Sequence, residues 1–233
     1  MFKIIKLKTV LFALLIIMFG VVGCVGLTKV SASLSSKKLN YTIVLDAGHG
    51  GQDGGCVGAS GVSEAEINLA VTLKLKSMLE NFGFNVVLTR NSNAGLYSLS
   101  AKNKKLSDME KRKEIIIKAN PNMVVSVHMN SYVNSTEHGA QTFYGVGNEN
   151  GKVLAETIQH ELIKNLVDAR DFANQTSLYI LECVKAPSVV VEGGFLSNPT
   201  EEQLLINPEY QGKIAYSIFC GILKYFEVVS TKV

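Results

Sequence analysis

Four side chains in this 233-residue sequence have the types and positions to carry out hydrolytic chemistry: His49, Glu64, His128 and Glu192. His49 follows a short apolar run (residues 41–46, YTIVLD) and sits in a glycine-rich stretch, residues 47–61. His128 closes the run 123–128 (MVVSVH), and Glu192 closes the run 188–192 (SVVVE). Glu64 opens the helical pattern that follows the glycine stretch. Two imidazoles and one carboxylate from separate elements make a His₂Glu set, the type that holds catalytic zinc with one coordination position left open. A further carboxylate beside such a set, Glu192, can act as general base. Asp46, at the end of the first apolar run, is another potential ligand or base.

Each residue also has a structural reading, and pattern alone leaves it open. His49 can cap a turn in its loop, and His128 can be a hydrogen-bonded core histidine. Glu64 can be a favourable charge at a helix N-terminus, worth about 0.3–1 kcal/mol. Glu192 is harder to explain that way. An ionised carboxylate ending an apolar strand needs a cation or donors, because burying it alone costs several kcal/mol.

These residues must be held by elements that bring their strand ends together. Short β-branched runs predict buried strands at 41–46, 84–89, 123–128, 140–144, 179–181 and 188–192. Amphipathic spacing predicts helices at about 64–81, 106–119, 154–166 and 211–226. Leu154, Ile158, Leu162 and Leu166 repeat every four residues in the third of these. Ser63 and Glu66 fit a capping box for the first. Continuous apolar strands alternating with helices predict an α/β fold: a single domain with a mixed, mostly parallel sheet of about six strands, flanked by helices on both faces. Ligand sites in such sheets lie beyond the carboxyl ends of the strands, where these residues fall. The polar loop 147–151 is expected at the rim of that groove.

Residues 9–28 form a run of 20 uncharged, mostly apolar residues behind three lysines. This reads as a signal peptide or N-terminal membrane anchor covering residues 1–32. Cleavage after Ala32 or retention as an anchor is preferred to lipidation at Cys24. Every one of these fates places the remainder outside the cytoplasmic membrane. A linker (33–40) and a catalytic domain (41–228) follow. The leader holds four lysines and no acid, which leaves 19 Lys+Arg against 20 Asp+Glu in residues 33–233. The body therefore has no electrostatic case for nucleic acid, and the membrane is met only through the N-terminal segment. Cys56, Cys183 and Cys220 lack CxxC spacing. They read as isolated thiols, with a Cys183–Cys220 bridge as the alternative. His138 and His160 fall on no ligand pattern and read as a loop residue and a solvent-facing helix residue.

The sequence also resembles a known family. Leu45-Asp46-Ala47-Gly48-His49-Gly50-Gly51-Gln52-Asp53-Gly54-Gly55 is similar to the opening motif of the zinc-dependent N-acetylmuramoyl-L-alanine amidases (the amidase-3 family). Four further blocks follow in order: Glu64-Ala65-Glu66-Ile67-Asn68-Leu69, Val87-Leu88-Thr89-Arg90, Ser126-Val127-His128-Met129-Asn130, and Val191-Glu192-Gly193-Gly194-Phe195-Leu196-Ser197-Asn198. Together they cover roughly residues 41–226. The resemblance implies one Zn²⁺ per chain held by His49, Glu64 and His128, with Glu192 as the catalytic glutamate. It favours Glu64 over Glu66, which the capping box explains. It marks Asn130 and Arg112 as substrate contacts, Arg112 with a structural role as the alternative. The loop departs from the pattern at Cys56, where the family more often has a small residue, and oxidation of that thiol would disturb the site.

The implied substrate is peptidoglycan, cut at the amide between N-acetylmuramic acid and L-alanine of the stem peptide. A signal or anchor on a bare catalytic domain is similar to the sporulation- and germination-specific, CwlD-like subgroup. That subgroup acts in spore cortex maturation, toward muramic-δ-lactam, and the forespore intermembrane space is then the implied location. Without its own targeting module, the domain is expected to use an extracytoplasmic activator or lipoprotein partner. Two alternatives differ in chemistry: a zinc peptidase acting within the stem peptide, and a non-catalytic wall-binding module. The fifteen-residue spacing between His49 and Glu64 argues against the short ligand pairs of common peptidases, and a pure binder has no need of a base at position 192.

Overall fold

The computed structural model describes residues 38–231. The expectations for residues 1–32, and for most of the linker, lie outside the described residues. Among the described residues no helix is long and apolar enough to cross a membrane.

Side-chain alternation along three central strands sets the architecture. These are β1 (Thr42–Ala47), β3 (Met123–Asn130) and β6 (Ser188–Phe195); β2 is Asn85–Leu88, β4 Gln141–Gly145 and β5 Asn174–Thr176. They form one six-stranded sheet in the order β2-β1-β3-β6-β4-β5. The strands β2, β1, β3 and β6 run parallel, β4 is antiparallel to β6, and β5 is parallel to β4. This is the mixed, mostly parallel sheet expected from the sequence.

Because successive side chains in a strand point to opposite faces, odd and even residues separate cleanly. Ile43, Leu45, Met123, Val125, Val127, Val189 and Val191 belong to one core. Above it lie α1 (Glu64–Phe82), α3 (Glu149–Asn165) and, past the short α4 (Pro199–Leu205), the long α5 (Pro208–Ser230). Val44, Val124 and Val190 face the other way, packed with Ile116 of α2 (Lys104–Ala119) and Ile180 and Leu181 of a 3₁₀ turn, Tyr179–Glu182. Each buried Val, Leu or Ile is worth about 1.5–3 kcal/mol, so a one-residue slip of a central strand would exchange these two cores wholesale. The register is fixed by that cost.

Asp46, Ser126, His128 and Glu192 follow Val44, Val124 and Val190 in the same even parity. The sheet therefore presents all four on the α2 face, at the carboxyl ends of β1, β3 and β6. Pairing places His128 directly beside Glu192. Beyond that pair the register shifts, Asn130 meeting Phe195. The extra residue in β6 is a bulge next to the site.

Several local expectations are corrected. Residues 179–181 form the 3₁₀ turn rather than a strand, while β5 and α4 were not read from the sequence. Ser63 is the N-cap of α1, but its side chain makes no capping bond, and Glu66 is exposed. The glycine loop caps the helix instead: Glu64 N–H donates to Cys56 O (2.8 Å) and Ala65 N–H to Gly54 O (3.0 Å). The loop 147–151 follows β4, whose antiparallel direction carries it to the far edge of the sheet, away from the groove. Cys56, Cys183 and Cys220 are free thiols, so no Cys183–Cys220 bridge forms. His138 is exposed and pairs with Asp168, and His160 is exposed on α3.

Candidate active site

The loop after β1 is the most constrained backbone of the site. His49 has φ 59°, a left-handed conformation uncommon outside glycine. Two buried arginines hold the carbonyls around it. Arg112 donates from Nη1 to Ala47 O (2.7 Å) and from Nη2 to His49 O (2.5 Å). Arg90 donates from Nε to Ala47 O and from Nη2 to Gly48 O, both at 2.8 Å. Asn68 Nδ2 adds a bond to Gly48 O at 3.2 Å. Three consecutive carbonyls are thus fixed by side chains from β2's end, α1 and α2. Gly48 is required by contact, since a Cβ there would lie 2.2 Å from the His128 ring.

Asp46 neutralises this clamp. Arg112 Nη1 donates to its Oδ1 (2.5 Å), as does Thr89 Oγ1 (2.7 Å), and Ser126 Oγ donates to Oδ2 (2.6 Å). Arg112 Nε also bonds Asp108 (2.6 Å). Four of the five Arg112 N–H groups are used inside the protein, and the residue is 2% exposed. Of the two roles read for Arg112, this burial favours positioning, and the residue also lines the cleft described below. Asp46 is likewise a partner of the clamp and not a fourth ligand.

Burial alone would raise the Asp46 carboxyl, but Arg112 and the two hydroxyl donors outweigh it and lower the group from 3.8 to about 2. A depressed carboxylate stabilises the fold above its unfolded pKa, and the contribution disappears as pH falls through the folded value. Urea unfolding should therefore lose about 2 kcal/mol of stability between roughly pH 4 and pH 2 through this group. In Asp46→Asn that acid-dependent loss should be correspondingly smaller. An unchanged acid limb would remove Asp46 as its source.

Around the loop, His49, Glu64 and His128 meet. His49 Nε2 lies 3.2 Å from Glu64 Oε2, and His128 Nδ1 lies 2.9 Å from Glu64 Oε1. The three ligand atoms all fall within 4.8 Å of one another, the one such His/Cys/Asp/Glu group among the described residues. Glu64 is 3% exposed, and it also accepts from Cys56 N–H (3.1 Å), Met129 N–H (3.2 Å) and Asn68 Nδ2 (3.1 Å). Burial works against its charge, yet the two imidazoles hold its carboxyl far below the usual range. The imidazoles respond in kind: despite burial, the pairing with Glu64, aided by Asp53, raises His49 to about 9, and His128 is raised as well. A concentrated site of opposed charge with two nitrogens and a carboxylate converging is a chemical fit for a divalent metal. The second nitrogen of His49 is held by Asp53 (Nδ1 to Oδ2, 3.0 Å), the kind of outer partner that fixes a ligating imidazole's orientation.

Glu192 stands beside this set without belonging to it. Its Oε2 is buried and has no hydrogen-bond partner. Burial, opposed by His128 and reinforced by the Glu64 charge, pushes its carboxyl up to about 7. A carboxylate tuned toward neutrality and facing a cleft can take up and return a proton at working pH. The cleft, about 360 Å³, is floored by His49, His128 and Glu192 and walled by Met109, Tyr179, Ile180 and Val190. Asn130 ends β3 half-buried outside that lining, its Oδ1 accepting from Ser131 N–H at 2.8 Å. Cys56 packs against Met129 O and Asn130 O. Burial first, then the Glu64 charge, push its thiol up to about 12, so it stays protonated and weakly nucleophilic at neutral pH.

The structure thus brings together His49, Glu64, His128 and Glu192. Sequence reasoning did not find the Arg90 carbonyl clamp, the Asp53 bond or the 3₁₀ wall. Asp53 had a signal, a carboxylate four residues after a loop histidine.

The family model described as N-acetylmuramoyl-L-alanine amidase matches residues 43–224. The chain is 39% identical over 189 residues to the germination-specific N-acetylmuramoyl-L-alanine amidase of Bacillus subtilis, covering 79% of each protein. Among solved structures, it matches the CwlD amidase of Clostridioides difficile, determined in complex with the GerS lipoprotein, with a TM-score of 0.78 and 41% identity, over 81% of this chain and 100% of that one. It also matches the amidase AmiC2 of Nostoc punctiforme, with a TM-score of 0.71 and 28% identity, over 82% of this chain and 99% of that one. With matching blocks spread along the domain and the same fold, the chain belongs to the N-acetylmuramoyl-L-alanine amidase family and is an enzyme of that class, acting on peptidoglycan.

Proposed function

We propose that His49, Glu64 and His128 hold one zinc ion and that Glu192 is the general base for hydrolysis of the amide between N-acetylmuramic acid and L-alanine. The observation that carries this reading is the buried, unpartnered Oε2 of Glu192 beside a His₂Glu donor set. His49 would offer Nε2, because Asp53 occupies its Nδ1. Zinc in such a site supplies Lewis acidity toward a carbonyl oxygen and lowers the pKa of water toward neutrality. Glu192, whose carboxylate lines the cleft, takes the proton from the attacking water and returns it to the departing alanine nitrogen. The apolar wall of Met109, Tyr179 and Ile180 excludes bulk water from that transfer. Asn130, at the strand end beyond His128, is proposed to donate from its amide to the substrate, and Arg112 acts through the His49 carbonyl.

The similarity to a germination-specific relative supports a role in spore cortex maturation, as a step toward muramic-δ-lactam. Such a role places the domain outside the cytoplasmic membrane, in the forespore intermembrane space, with residues 1–32 directing or anchoring it. A complex of a similar amidase with a lipoprotein supports an extracytoplasmic lipoprotein partner for this chain too.

Product identity tests the reaction. Purified peptidoglycan incubated with the zinc-loaded protein should yield peptide-free muramic acid and intact peptides with free L-alanine amino termini by mass spectrometry. Chelation should abolish both, and added zinc should restore them. Shortened peptides would instead identify a peptidase, and turnover indifferent to chelation would remove the metal from the mechanism.

A further inference from the structure

The edge of the sheet opposite the cleft carries a continuous row of aromatic rings. Phe219, Phe82, Phe84, Phe226 and Tyr41 follow one another at centroid spacings of 5.8, 5.6, 5.4 and 4.8 Å. Tyr41 immediately precedes β1 and Phe84 precedes β2, so the row lies at the amino ends of the parallel strands. The cleft lies beyond their carboxyl ends. Phe82 is 46% and Tyr41 43% exposed, while Phe84 between them is buried in the main core. Tyr41, Phe82, Phe84 and Phe226, with Leu39 and Leu223, line a groove of about 520 Å³. Glu227 borders the same groove and Lys38 lies one residue before Leu39, so no single sign of charge dominates and what the groove recognises is apolar.

The position of the row along the chain indicates its occupant. Leu39 N–H bonds Gly83 O at 2.8 Å, which fixes the start of the described chain at this edge. Upstream, residues 9–28 are a 20-residue uncharged run, long enough to cross a bilayer. The nine residues between that run and Lys38 reach at most about 30 Å when fully extended. A fold tethered that closely would meet the bilayer surface first with the edge from which its tether leaves. Tyr and Phe side chains suit the headgroup boundary, where an apolar body and a polar rim are both accommodated.

We propose that the groove bordered by Phe82 and Tyr41 is a bilayer-docking surface that lays the amino edge of the sheet on the membrane and turns the cleft away from it, toward the wall polymer. The proposal rests on the reading of residues 9–28 as a retained anchor. The chain contains no tryptophan, so one introduced indole reports its own surroundings. Full-length Phe82→Trp, and separately Tyr41→Trp, would be reconstituted into phosphatidylcholine vesicles with plain or brominated acyl chains. Tyr132→Trp, exposed just beyond the carboxyl end of β3, serves as the control. Flotation of the vesicles reports the anchor, and bromine quenching reports the surface. Co-flotation with strong quenching at positions 82 and 41, and almost none at 132, is the expected result. Co-flotation without quenching at 82 and 41 would overturn the docking surface while leaving the anchor. Failure to float would overturn the anchor and, with it, the proposal. An unquenched indole at position 82 whose emission shifts with protein concentration would assign the row to a second copy of the chain and overturn membrane docking.

Discussion

Glu192→Gln should lose turnover by roughly 10²–10⁴-fold, the range that a positioned general base contributes, and should keep its metal. The size follows from what the substitution removes. An amide side chain fills the same space at the strand end but cannot accept a proton. The ligand geometry should survive, because His49, Glu64 and His128 are held by each other, by Asp53 and by the backbone donors of Cys56 and Met129. Steady-state release of muramic acid and metal content by elemental analysis are the paired measurements. A variant retaining more than about a tenth of wild-type rate lies outside the range expected for loss of a general base, and would exclude Glu192 from that role. The sign of the pH dependence is a second check. A general base works deprotonated, so if Glu192 has that role wild-type turnover should rise as pH rises toward neutrality, and Glu192→Gln should not show that limb.

Arg112→Met should destabilise the fold by about 3–5 kcal/mol, the cost of removing one partner from a buried ion pair. Methionine keeps the volume of the stem but leaves Asp46 charged, 2% exposed and short of its strongest donor. It also releases His49 O and leaves Ala47 O to Arg90 alone, so the left-handed turn at His49 loses part of what holds it. Metal occupancy at a fixed zinc concentration should therefore fall in the fraction that remains folded. Arg112→Lys should not restore it, because one ammonium cannot reach Asp46, Asp108 and two carbonyls at once. Urea unfolding with metal analysis separates the two effects. Pairing the change with Asp46→Asn should recover part of the lost stability, since the uncompensated charge is then gone. A loss below about 1 kcal/mol for Arg112→Met would place the pair among exposed bridges of little weight.

The strands were legible because their residues are apolar on both faces, a pattern that only a covered parallel sheet explains. The ligand and base candidates were legible because polar side chains at the ends of such runs have few other uses. What escaped was set by long-range backbone geometry. The run Tyr179–Leu181 is too short for periodicity to separate a strand from a turn, and packing under α2 decided for the turn. Ser63 and Glu66 have the right spacing for a capping box, yet the glycine loop returns its own carbonyls to the first helical N–H groups. Arg90 reads as a residue following a strand. Nothing in its neighbours indicates that its guanidinium reaches Ala47, Gly48 and Ala65 across sequence gaps of 43, 42 and 25 residues.

The alternation of faces along β6 acts as a reading frame for the chemistry. Insert or delete one residue between Ser188 and Glu192, and the carboxylate is carried to the opposite face, into the core under α1, α3 and α5. The bulge after Glu192 resets that frame. Length changes downstream, toward Phe195 and α4, can therefore be absorbed without turning the Glu192 carboxylate away from His128. Variation in this enzyme's length should accumulate on one side of a single residue step, and the strand leading into Glu192 should tolerate substitution far better than it tolerates insertion.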